Sequence, residues 1–421
     1  MGYDVQFSKL ELMRSGVESI PDNWDFVHIN KVFKICNNLR LPISKDERLK
    51  TPGLYPYYGP TKIQGYIANY QQDGDYVLIG EDGDHFLKYK SLPMTQLVSG
   101  KCTVNNHAHV IQGTKRATRE WFYYYFMHRD IFSFLTRQGA GRYKLNKSAL
   151  EKLPILVPPL YEQQIITKIL SAWDKSIEIL EALIAAKQKL KKALMQQLLT
   201  GKKRFGEHIT SLEVQKTKYG SLPAEWKYLH IGDVAKQISI KNNRTLDLPV
   251  LSCTKHNGLV DSLAYFGKRI YSEDTSTYKI VPKNAFAYAT NHIEEGSIGY
   301  QSLYDEALIS PMYTVFQTKN NINDEFLYRL LKTELYRHIF EANTSASVDR
   351  RGSLRWNEFS QLKIPIPSLP EQQKIADIFS VSDKEITTHQ TQLAALKQQK
   401  KALMQQLLTG KKRVKVNQAA A

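Results

Sequence analysis

The longest regular pattern of apolar and polar residues runs from Glu162 to Phe205 and recurs from Glu371 to Val414. At a constant shift of 209 positions, 25 of the 44 residues are identical. Fourteen of them form one unbroken run, Lys191–Arg204 and Lys400–Arg413. Solenoid repeats recur every 20–50 residues or so, and this period is far longer. The pattern therefore predicts two equivalent halves.

Within each copy the apolar positions recur every 3.5 residues, which predicts a helix with a seam for a second helix. Prolines precede each copy and a glycine follows it, as expected at the two ends of a helix. About 38 residues at 1.5 Å each would give a helix of roughly 57 Å. Two ordinary core helices of separate domains are the alternative. The first copy places Leu170, Ile177, Ile184, Lys191 and Leu198 at one seam position and Trp173, Leu180, Lys187 and Leu194 at the other, and the second copy places Phe379, Ile386, Leu393, Lys400 and Leu407, then Ser382, His389, Leu396 and Leu403.

A different pattern fills the chain before each long helix. Short runs of Val, Ile and Tyr alternate between Gly, Asp and Pro clusters, which is typical of strands and turns. We expect a helix at 119–135 in the first half and at 324–340 in the second. Both halves open with a Pro-x-x-Trp segment ending in His-Ile, at Pro21–Ile29 and Pro223–Ile231. Between these landmarks we find no convincing match, so the sequence indicates a duplicated frame with different contents.

Composition adds a partner class. The 421 residues carry a net charge of +17, 42% hydrophobic residues and 24 tyrosines, which indicates several folded domains and not a disordered chain. The charge favours a polyanion, with nucleic acid ahead of membrane. The three cysteines are few and widely spaced, which fits a reducing compartment and neither a disulfide framework nor a zinc site. No apolar run approaches membrane-spanning length and no signal peptide opens the chain, so we expect a cytoplasmic protein.

Catalytic motifs are missing from the sequence. No GxxxxGK[ST] loop offers a site for ATP hydrolysis. His107 and His109 could be metal ligands, but without a nearby cysteine pair we interpret them as polar strand residues. Glu81, Asp82 and Asp84 do not form a recognisable nuclease constellation. The pattern is that of a binding protein and not of an enzyme.

The chain resembles the specificity subunits of type I restriction-modification systems over almost its full length. The resemblance is carried by the repeated Pro-x-x-Trp entrance, the Glu-Gln-Gln helix starts and the duplicated Leu-Leu-Thr-Gly-Lys-Lys-Arg ends. Further segments are similar to recognition domains of that family: Tyr57–Gly59, Leu78–Gly83 and Val104–His109 in the first half, and Gly296–Gly299 and Ser310–Phe316 in the second.

This resemblance implies an α/β (α+β) fold with pseudo-two-fold internal duplication. Two target recognition domains would each read half of a split DNA sequence, and two long antiparallel coiled-coil helices would separate them. The corresponding segments are 1–157 and 206–366 for the recognition domains, and 158–205 and 367–421 for the spacer helices. Two adenine-N6 methyltransferase subunits with S-adenosylmethionine would bind the helices, and restriction subunits would supply ATP- and Mg-dependent translocation and cleavage. A related methyltransferase system without a nuclease is the alternative, and the sequence does not distinguish the two. The chain itself would hold no cofactor and no metal.

Polar and basic loop residues are the candidates for contact with double-stranded DNA, because lysine and arginine neutralise phosphates whereas arginine and asparagine can also read base edges. For His107 and Asn106, a buried turn network is the alternative. A basic RNA-binding or scaffold protein that dimerises through its long helices is the alternative function, although RNP-type and KH-type motifs are missing. The DNA candidates are Tyr57, Lys62, Lys101, Asn105, Asn106, His107, Arg137, Arg142, Lys144, Lys255, His256, Asn257, Asn291, Arg350, Arg351 and Arg355, and the candidates for methyltransferase docking are Lys202, Lys203, Arg204, Lys411, Lys412 and Arg413.

Overall fold

The computed structural model describes residues 7, 9–138, 142–243, 246–344 and 353–414. The chain forms two compact units, Met1–Glu181 with Thr391–Ala421, and Ala182–Gln390. Each long helix therefore contributes one part to each unit, whereas the division drawn from the sequence treats the helices as separate segments. Within the described ranges, no helix combines the length and the apolar character needed to cross a membrane.

The first unit is built around a six-stranded sheet with the order β2-β7-β5-β6-β3-β4, in which only β3 and β6 run parallel. Two further antiparallel pairs, β1-β10 and β8-β9, complete the strands. Its elements are α1 (Lys9–Arg14), β1 (Asp25–His28), β2 (Lys34–Ile35), α2 (Lys45–Lys50), β3 (Pro52–Tyr58), β4 (Ile63–Ile67), β5 (Gln72–Gly80), β6 (Thr95–Val104), β7 (Ala108–Gln112), α3 (Arg119–Met127), β8 (Thr136–Gln138), β9 (Arg142–Lys144), α4 (Lys147–Glu151), β10 (Pro154–Val157) and the start of α5 (Leu160–Leu198).

Helix α3 covers only the first half of the helix expected at 119–135. It begins at a capped end, where the Thr118 hydroxyl accepts a hydrogen bond from the Trp121 amide. Its aromatic residues Trp121, Phe122 and Phe126 are fully buried against the sheet. The helix ends at Met127, and the remainder forms a short 3-10 turn at Phe132–Phe134. The aromatic pattern that suggested one long helix continues through this turn, because the same core needs apolar residues from both elements.

The second unit has a four-stranded antiparallel sheet, β14-β21-β18-β19, and four further antiparallel pairs, β11-β12, β13-β22, β15-β16 and β17-β20. Its elements are β11 (Val214–Thr217), β12 (Gly220–Pro223), β13 (Lys227–His230), α6 (Ile231–Val234), β14 (Ala235–Ile238), β15 (Leu251–Thr254), β16 (Gly258–Asp261), α7 (Ser262–Phe266), β17 (Lys279–Pro282), β18 (Phe286–Ala289), β19 (Ile298–Tyr300), β20 (Glu306–Ile309), β21 (Tyr313–Thr318), α8 (Asp324–Leu331), α9 (Glu334–Asn343), α10 (Trp356–Phe359), β22 (Lys363–Ile366) and α11 (Leu369–Leu407).

The single helix expected at 324–340 is two helices. Asn323 caps α8 through a hydrogen bond to the Phe326 amide, and Thr333 caps α9 in the same way through the Tyr336 amide. A threonine hydroxyl that competes for backbone amides favours a new helix start over continuation. The break at 332–333 lets Phe326 and Phe340 both enter the core of the unit.

The duplicated frame extends well beyond the sequence match. Strand β1 pairs with β10 in the first unit, and β13 pairs with β22 in the second, in equivalent registers. In both units the residue after the entrance strand donates its amide to a leucine carbonyl before the last strand: Ile29 to Leu153 at 3.0 Å and Ile231 to Leu362 at 2.8 Å. Backbone pairing thus preserves the frame where side chains have diverged.

The long helices α5 and α11 each span 39 residues, as the hydrophobic pattern predicted. The predicted seam positions are the buried or half-buried ones along both helices. In the first unit Lys400 pairs with Asp174 and Lys397 with Glu181, and ion pairs in the second unit also join higher-numbered residues of one helix to lower-numbered residues of the other. The two helices therefore pack antiparallel within each unit, and the coiled-coil prediction is confirmed.

Lysines at two seam positions are explained by these pairs. Lys191 binds the Asp383 carboxylate in the second unit, and Lys400 binds Asp174 in the first. Each aspartate accepts a second contact from its own unit, from Arg329 on Asp383 and from the Tyr124 hydroxyl on Asp174 at 2.8 Å. A charged pair at a seam position fixes register at some cost in stability.

The second residue of each Glu-Gln-Gln start ties the long helix to its unit. The Gln163 amide donates to the carbonyls of Arg116 and Pro158, both at 2.8 Å, and its oxygen accepts from the Thr118 amide at 2.9 Å. Gln372 does the same in the second unit with the Asn323 amide at 2.8 Å and the Pro367 carbonyl at 3.0 Å. These glutamines are buried, and every polar atom of the side chain has a partner.

Candidate nucleic-acid interface

Both units bring loops together at the same end of two central strands. In the first unit, Glu81 follows β5 and its carbonyl accepts the Leu145 amide at 2.8 Å. In the second, Thr290 follows β18 and its carbonyl accepts the Leu354 amide, also at 2.8 Å. We call this place the loop edge: the residues after β5 or β18, those before β7 or β21, and those that lead into α4 or α10. Six of the sixteen sequence-predicted candidates lie at it, namely Asn105, Asn106, His107, Lys144, Asn291 and Arg355.

Glu81 is the centre of a charged cluster at the loop edge of the first unit. Its carboxylate, with 13% of the side chain exposed, pairs with Arg40 and with the Lys144 ammonium at 3.1 Å. Arg40 also donates to the Asn106 carbonyl at 3.0 Å. Burial acts to raise the pKa of Glu81, but hydrogen bonds from Arg40 and Lys144 and the positive charge of Arg40 lower it below its usual value. The carboxylate therefore holds two cations at the surface.

His109 supports this cluster from inside. Its Nδ1 lies 2.9 Å from the Asn37 amide nitrogen and its Nε2 lies 2.6 Å from the Leu145 carbonyl oxygen. Burial lowers the pKa of His109, so the ring is neutral, accepts from Asn37 and donates to Leu145. The interpretation as a polar strand residue is confirmed for His109, which lies in β7, but is wrong for His107, which lies in the turn before that strand. Among the described residues, the one histidine–carboxylate group with metal-ligand spacing is elsewhere, at His292, Glu294 and Glu295.

The turn at 105–107 presents polar groups beside the cluster. Asn105 is buried, and its side-chain oxygen accepts the His107 amide at 2.5 Å. Asn106 is exposed, whereas His107 is half exposed and contacts the Asp82 carboxylate at 2.8 Å. The buried turn network proposed as the alternative role for Asn106 and His107 is formed by Asn105, so Asn106 and His107 remain the surface candidates of this turn.

The other first-half candidates lie at varying distances from this cluster. Tyr57 is fully buried in β3, and its hydroxyl accepts the Ile43 amide at 2.9 Å and donates to the Leu41 carbonyl at 3.3 Å. It positions the 41–43 segment and has no surface with which to contact DNA. Lys62 is exposed in the turn after β3, whereas Lys101 extends over the Tyr70 ring at 4.8 Å. Arg137 is exposed on the β8-β9 hairpin, and Arg142 starts β9 with its side chain outside the described atoms.

Second-half candidates form two groups. Lys255, His256 and Asn257 make the exposed turn between β15 and β16, and the Lys332 ammonium binds both the Lys255 and Gly296 carbonyls at 2.8 Å. Asn291 follows Thr290 at the loop edge, and Arg355 is exposed at the start of α10. Arg350 and Arg351 lie outside the described residues.

The loop edge of the second unit contains a cavity of about 380 Å³. Its lining includes Thr290, Met312 directly before β21, and Trp356 and Asn357 at the start of α10. Sequence reasoning overlooked most of these residues, and it also overlooked Arg40. The sequence signal for this segment is the shift of 209, which relates Leu145 to Leu354, but its contact with the residues after β5 and β18 is formed only in the tertiary structure.

The duplicated Leu-Leu-Thr-Gly-Lys-Lys-Arg ends close each unit internally. In the first unit the buried Glu162 carboxylate accepts from the Trp24 indole at 2.8 Å and from Arg413 at 2.7 and 2.9 Å. In the second, Glu371 accepts from the Trp226 indole at 3.2 Å and from Arg204 at 2.9 Å twice. We call each of these a Trp–Glu–Arg lock. The two locks join the entrance, the helix start and the helix end that were recognised separately in the sequence.

The glycine before each lysine pair is also part of this contact. Gly201 and Gly410 both adopt φ of +70°. A Cβ atom added at Gly201 would lie 2.5 Å from the Pro223 ring, and one at Gly410 would lie 2.3 Å from Pro21. Glycine is therefore required both for the left-handed backbone and for the close approach to the entrance proline.

These contacts separate the arginines from the lysines among the candidates for methyltransferase docking. Hydrogen bonding to Glu371 raises the pKa of Arg204, which is only 7% exposed, and Arg413 is likewise paired with Glu162. The identity of these arginines in the two copies thus follows from an intramolecular role. Lys202, Lys203 and Lys412 are exposed, and Lys411 contacts Glu18 at 2.9 Å on the surface. The lysines remain candidates for a partner.

Comparisons with known proteins agree with this duplicated plan. A family described as "Type I restriction modification DNA specificity domain" matches residues 21–188 and 223–398. A putative type I restriction enzyme specificity subunit of Haemophilus influenzae is 29% identical over 362 residues, covering 83% of this chain and 85% of the relative. The MjaVIII specificity subunit of Methanocaldococcus jannaschii is 26% identical over 417 residues, covering 94% of both chains.

Among solved structures, the S subunit of the type I restriction-modification system of M. genitalium has the same fold. The match has a TM-score of 0.57 at 16% identity and covers 93% of this chain and 97% of that one. The family match spans both copies of the frame and includes the Trp–Glu–Arg residues Trp24, Glu162, Trp226 and Glu371. The chain therefore belongs to the type I restriction-modification DNA specificity family.

Proposed function

We propose that this chain is the DNA-recognition subunit of a type I restriction-modification complex, in which each unit reads one half of a bipartite sequence. The observation that carries this proposal is the loop edge. Two units share a backbone frame down to equivalent hydrogen bonds, yet they present different side chains at the same place. A frame that is constant while its loop edge varies is what two readers of different sequences require.

The charge of the loop edges fits a duplex partner. In the first unit the carboxylate of Glu81 leaves Arg40 and Lys144 facing outward, with 21% and 28% of their side chains exposed. In the second, the described residues that line the cavity include Lys279 and Arg355 and no carboxylate. Such cations supply phosphate contacts, whereas amides and arginines at base edges supply sequence discrimination. The net charge of +17 adds long-range attraction.

The chemistry of the complex would belong to its partners. Methyltransferase subunits would bring S-adenosylmethionine, and restriction subunits would bring ATP and Mg. This chain would contribute binding and orientation: it selects the duplex site and holds it for the methyltransferase.

The test is methylation by the reconstituted complex. The chain is co-expressed with the methyltransferase subunit of its own system, and single-molecule sequencing reads the methylated adenines in the host DNA. We expect one bipartite motif with an unspecified spacer. A complex without this chain is the control and should methylate no motif. Assembly with methylation that lacks sequence preference, or a continuous motif with no spacer, would contradict the proposal.

Salt dependence provides a second measurement on the same complex. Neutralising DNA phosphates releases counterions, so the affinity of the complex for duplex DNA should fall steeply as salt rises from about 50 to 200 mM. The expected decrease is about 10³- to 10⁵-fold for 6–10 phosphate contacts. Replacing Lys144 with alanine should reduce the slope by about one contact without changing the motif. A slope that stays the same would exclude Lys144 from phosphate binding.

A further inference from the structure

The cavity at the loop edge of the second unit has walls fixed by packing. The Trp356 ring packs against Phe316 and Phe359, with ring centroids 5.6 and 5.9 Å apart. Met312, which also lines the cavity, is 60% exposed, and its carbonyl accepts a hydrogen bond from the Thr290 hydroxyl at 3.3 Å. An exposed methionine beside a fixed indole gives the cavity an apolar part that is open to solvent.

The polar groups of the cavity divide into those already engaged and those still available. The Lys279 ammonium donates to the Tyr313 carbonyl at 2.5 Å, and the Thr290 hydroxyl is used as described above. The side chains of Gln237, Arg355 and Asn357 have no hydrogen-bond or ion-pair partner within the described part of the chain. Two amides and one guanidinium are therefore free to bind a ligand in the same cleft.

The loop edges of the two units carry different residues at equivalent positions. His107 precedes β7 as Met312 precedes β21, and Glu81 follows β5 as Thr290 follows β18. In the first unit these positions carry a carboxylate and an imidazole that hold other side chains. In the second they carry a hydroxyl and a thioether. The same edge is thus changed from an ion-pair cluster to an open cleft with apolar and amide walls.

We propose that this cleft reads one A·T base pair of the half-site recognised by the second unit. Resting on the proposed function, the assignment follows from the chemistry of the free groups. Asparagine or glutamine can bond adenine N6 and N7 together in the major groove, and the methyl group of the paired thymine accepts apolar contact. Gln237 and Asn357 supply the amides, Met312 and Trp356 supply the apolar surface, and Arg355 binds the phosphate backbone.

The amide part is tested with Gln237→Ala and Asn357→Ala in the full methyltransferase complex. Each variant should make the same position of the motif degenerate, with discrimination for A·T reduced about 5- to 150-fold, as expected for the loss of an amide that reads this base pair. Asn320→Ala is the matched control, because this exposed asparagine lies beyond the other end of β21. Asn357→Gln keeps an amide at this position and should therefore discriminate better than Asn357→Ala. A variant that failed to fold would show no such difference.

The apolar part is tested with a synthetic duplex in which deoxyuridine replaces thymine at the assigned position, so that only the methyl group is lost. The wild-type complex should bind the uracil duplex more weakly than the thymine duplex, and Met312→Ala should bind both equally. The inference is overturned if both amide variants keep the wild-type motif, or if their changes fall in different half-sites. If the wild-type complex still methylates one bipartite motif, the proposed function is supported even when these results overturn the inference.

Discussion

The Trp–Glu–Arg locks make a quantitative prediction, because the same substitution can be made in both units at different burial. Arg204 is 7% exposed, binds Glu371 with two bonds of 2.9 Å and also contacts Glu225 and the His208 carbonyl. Arg413 makes the same paired contact with Glu162 but is 37% exposed. Replacing each arginine with alanine leaves a carboxylate that is almost fully buried.

Removing one partner of a buried ion pair costs about 3–5 kcal/mol, because the remaining charge is left without compensation. We expect a cost in this range for Arg204→Ala. At Arg413 the exposed side chain already lets water reach the site, so a cost of about 1–3 kcal/mol is expected. The double variant Arg204→Ala with Glu371→Gln should lose less stability than the sum of the two single variants, because it no longer contains the unpaired carboxylate.

Two-state unfolding cannot be assumed for a chain of two units, so the free energy should be measured for each unit separately. Hydrogen exchange of buried amides in β22 and β10 reports the second and the first unit, respectively. Lys202→Ala, an exposed neighbour, is the control and should change stability by less than about 0.5 kcal/mol. An equal or larger loss for Arg413→Ala than for Arg204→Ala would refute the reasoning from burial.

Three further predictions concern pH, assembly and spacing. Burial lowers the pKa of His85 to about 4, so the folded state resists protonation of this side chain. The free energy of unfolding should therefore fall as pH drops from 6.5 towards 4, by up to about 3 kcal/mol in total. His85→Phe should reduce this loss in acid-unfolding curves. Charge reversal of the four helix-end lysines should weaken assembly with methyltransferase subunits, measured by native mass spectrometry, whereas unchanged stoichiometry would mean that they only complement helix ends, an effect of roughly 0.3–1 kcal/mol each. Inserting four residues after Ala185 and four after Ala394 adds about 6 Å to each helix. If helix length sets the spacing of the half-sites, the spacer should become longer by one or two base pairs, because one base pair spans about 3.4 Å. Methylome sequencing should show this longer spacer between unchanged half-sites. The lysines to be reversed are Lys202, Lys203, Lys411 and Lys412.

Periodicity and repetition were sufficient to predict the frame. A 3.5-residue spacing sustained over 39 residues is satisfied by one regular structure, a helix with a seam, and the seam positions from Leu170 to Leu198 are buried or half-buried as that spacing requires. Local signals also set the helix ends, because the prolines before Leu160 and the glycine after Leu198 act through their own backbone geometry. These properties depend on neighbours in the chain, which a single sequence displays.

The contents of the loop edge depended on residues distant in sequence, and here the predictions were incomplete. Tyr57 has the polar hydroxyl of a candidate for DNA contact, but the strand pairing of β3 buries it, and its hydroxyl bonds to the backbone at 41–43. Arg204 has the charge of a candidate for partner docking, whereas Glu371, 167 residues later, binds its guanidinium. A sequence gives the type of each side chain, but only the tertiary structure determines which groups are already satisfied. The polar groups left unsatisfied at the loop edge are those that can still bind another molecule, and their identity follows from the packing of both halves of each unit.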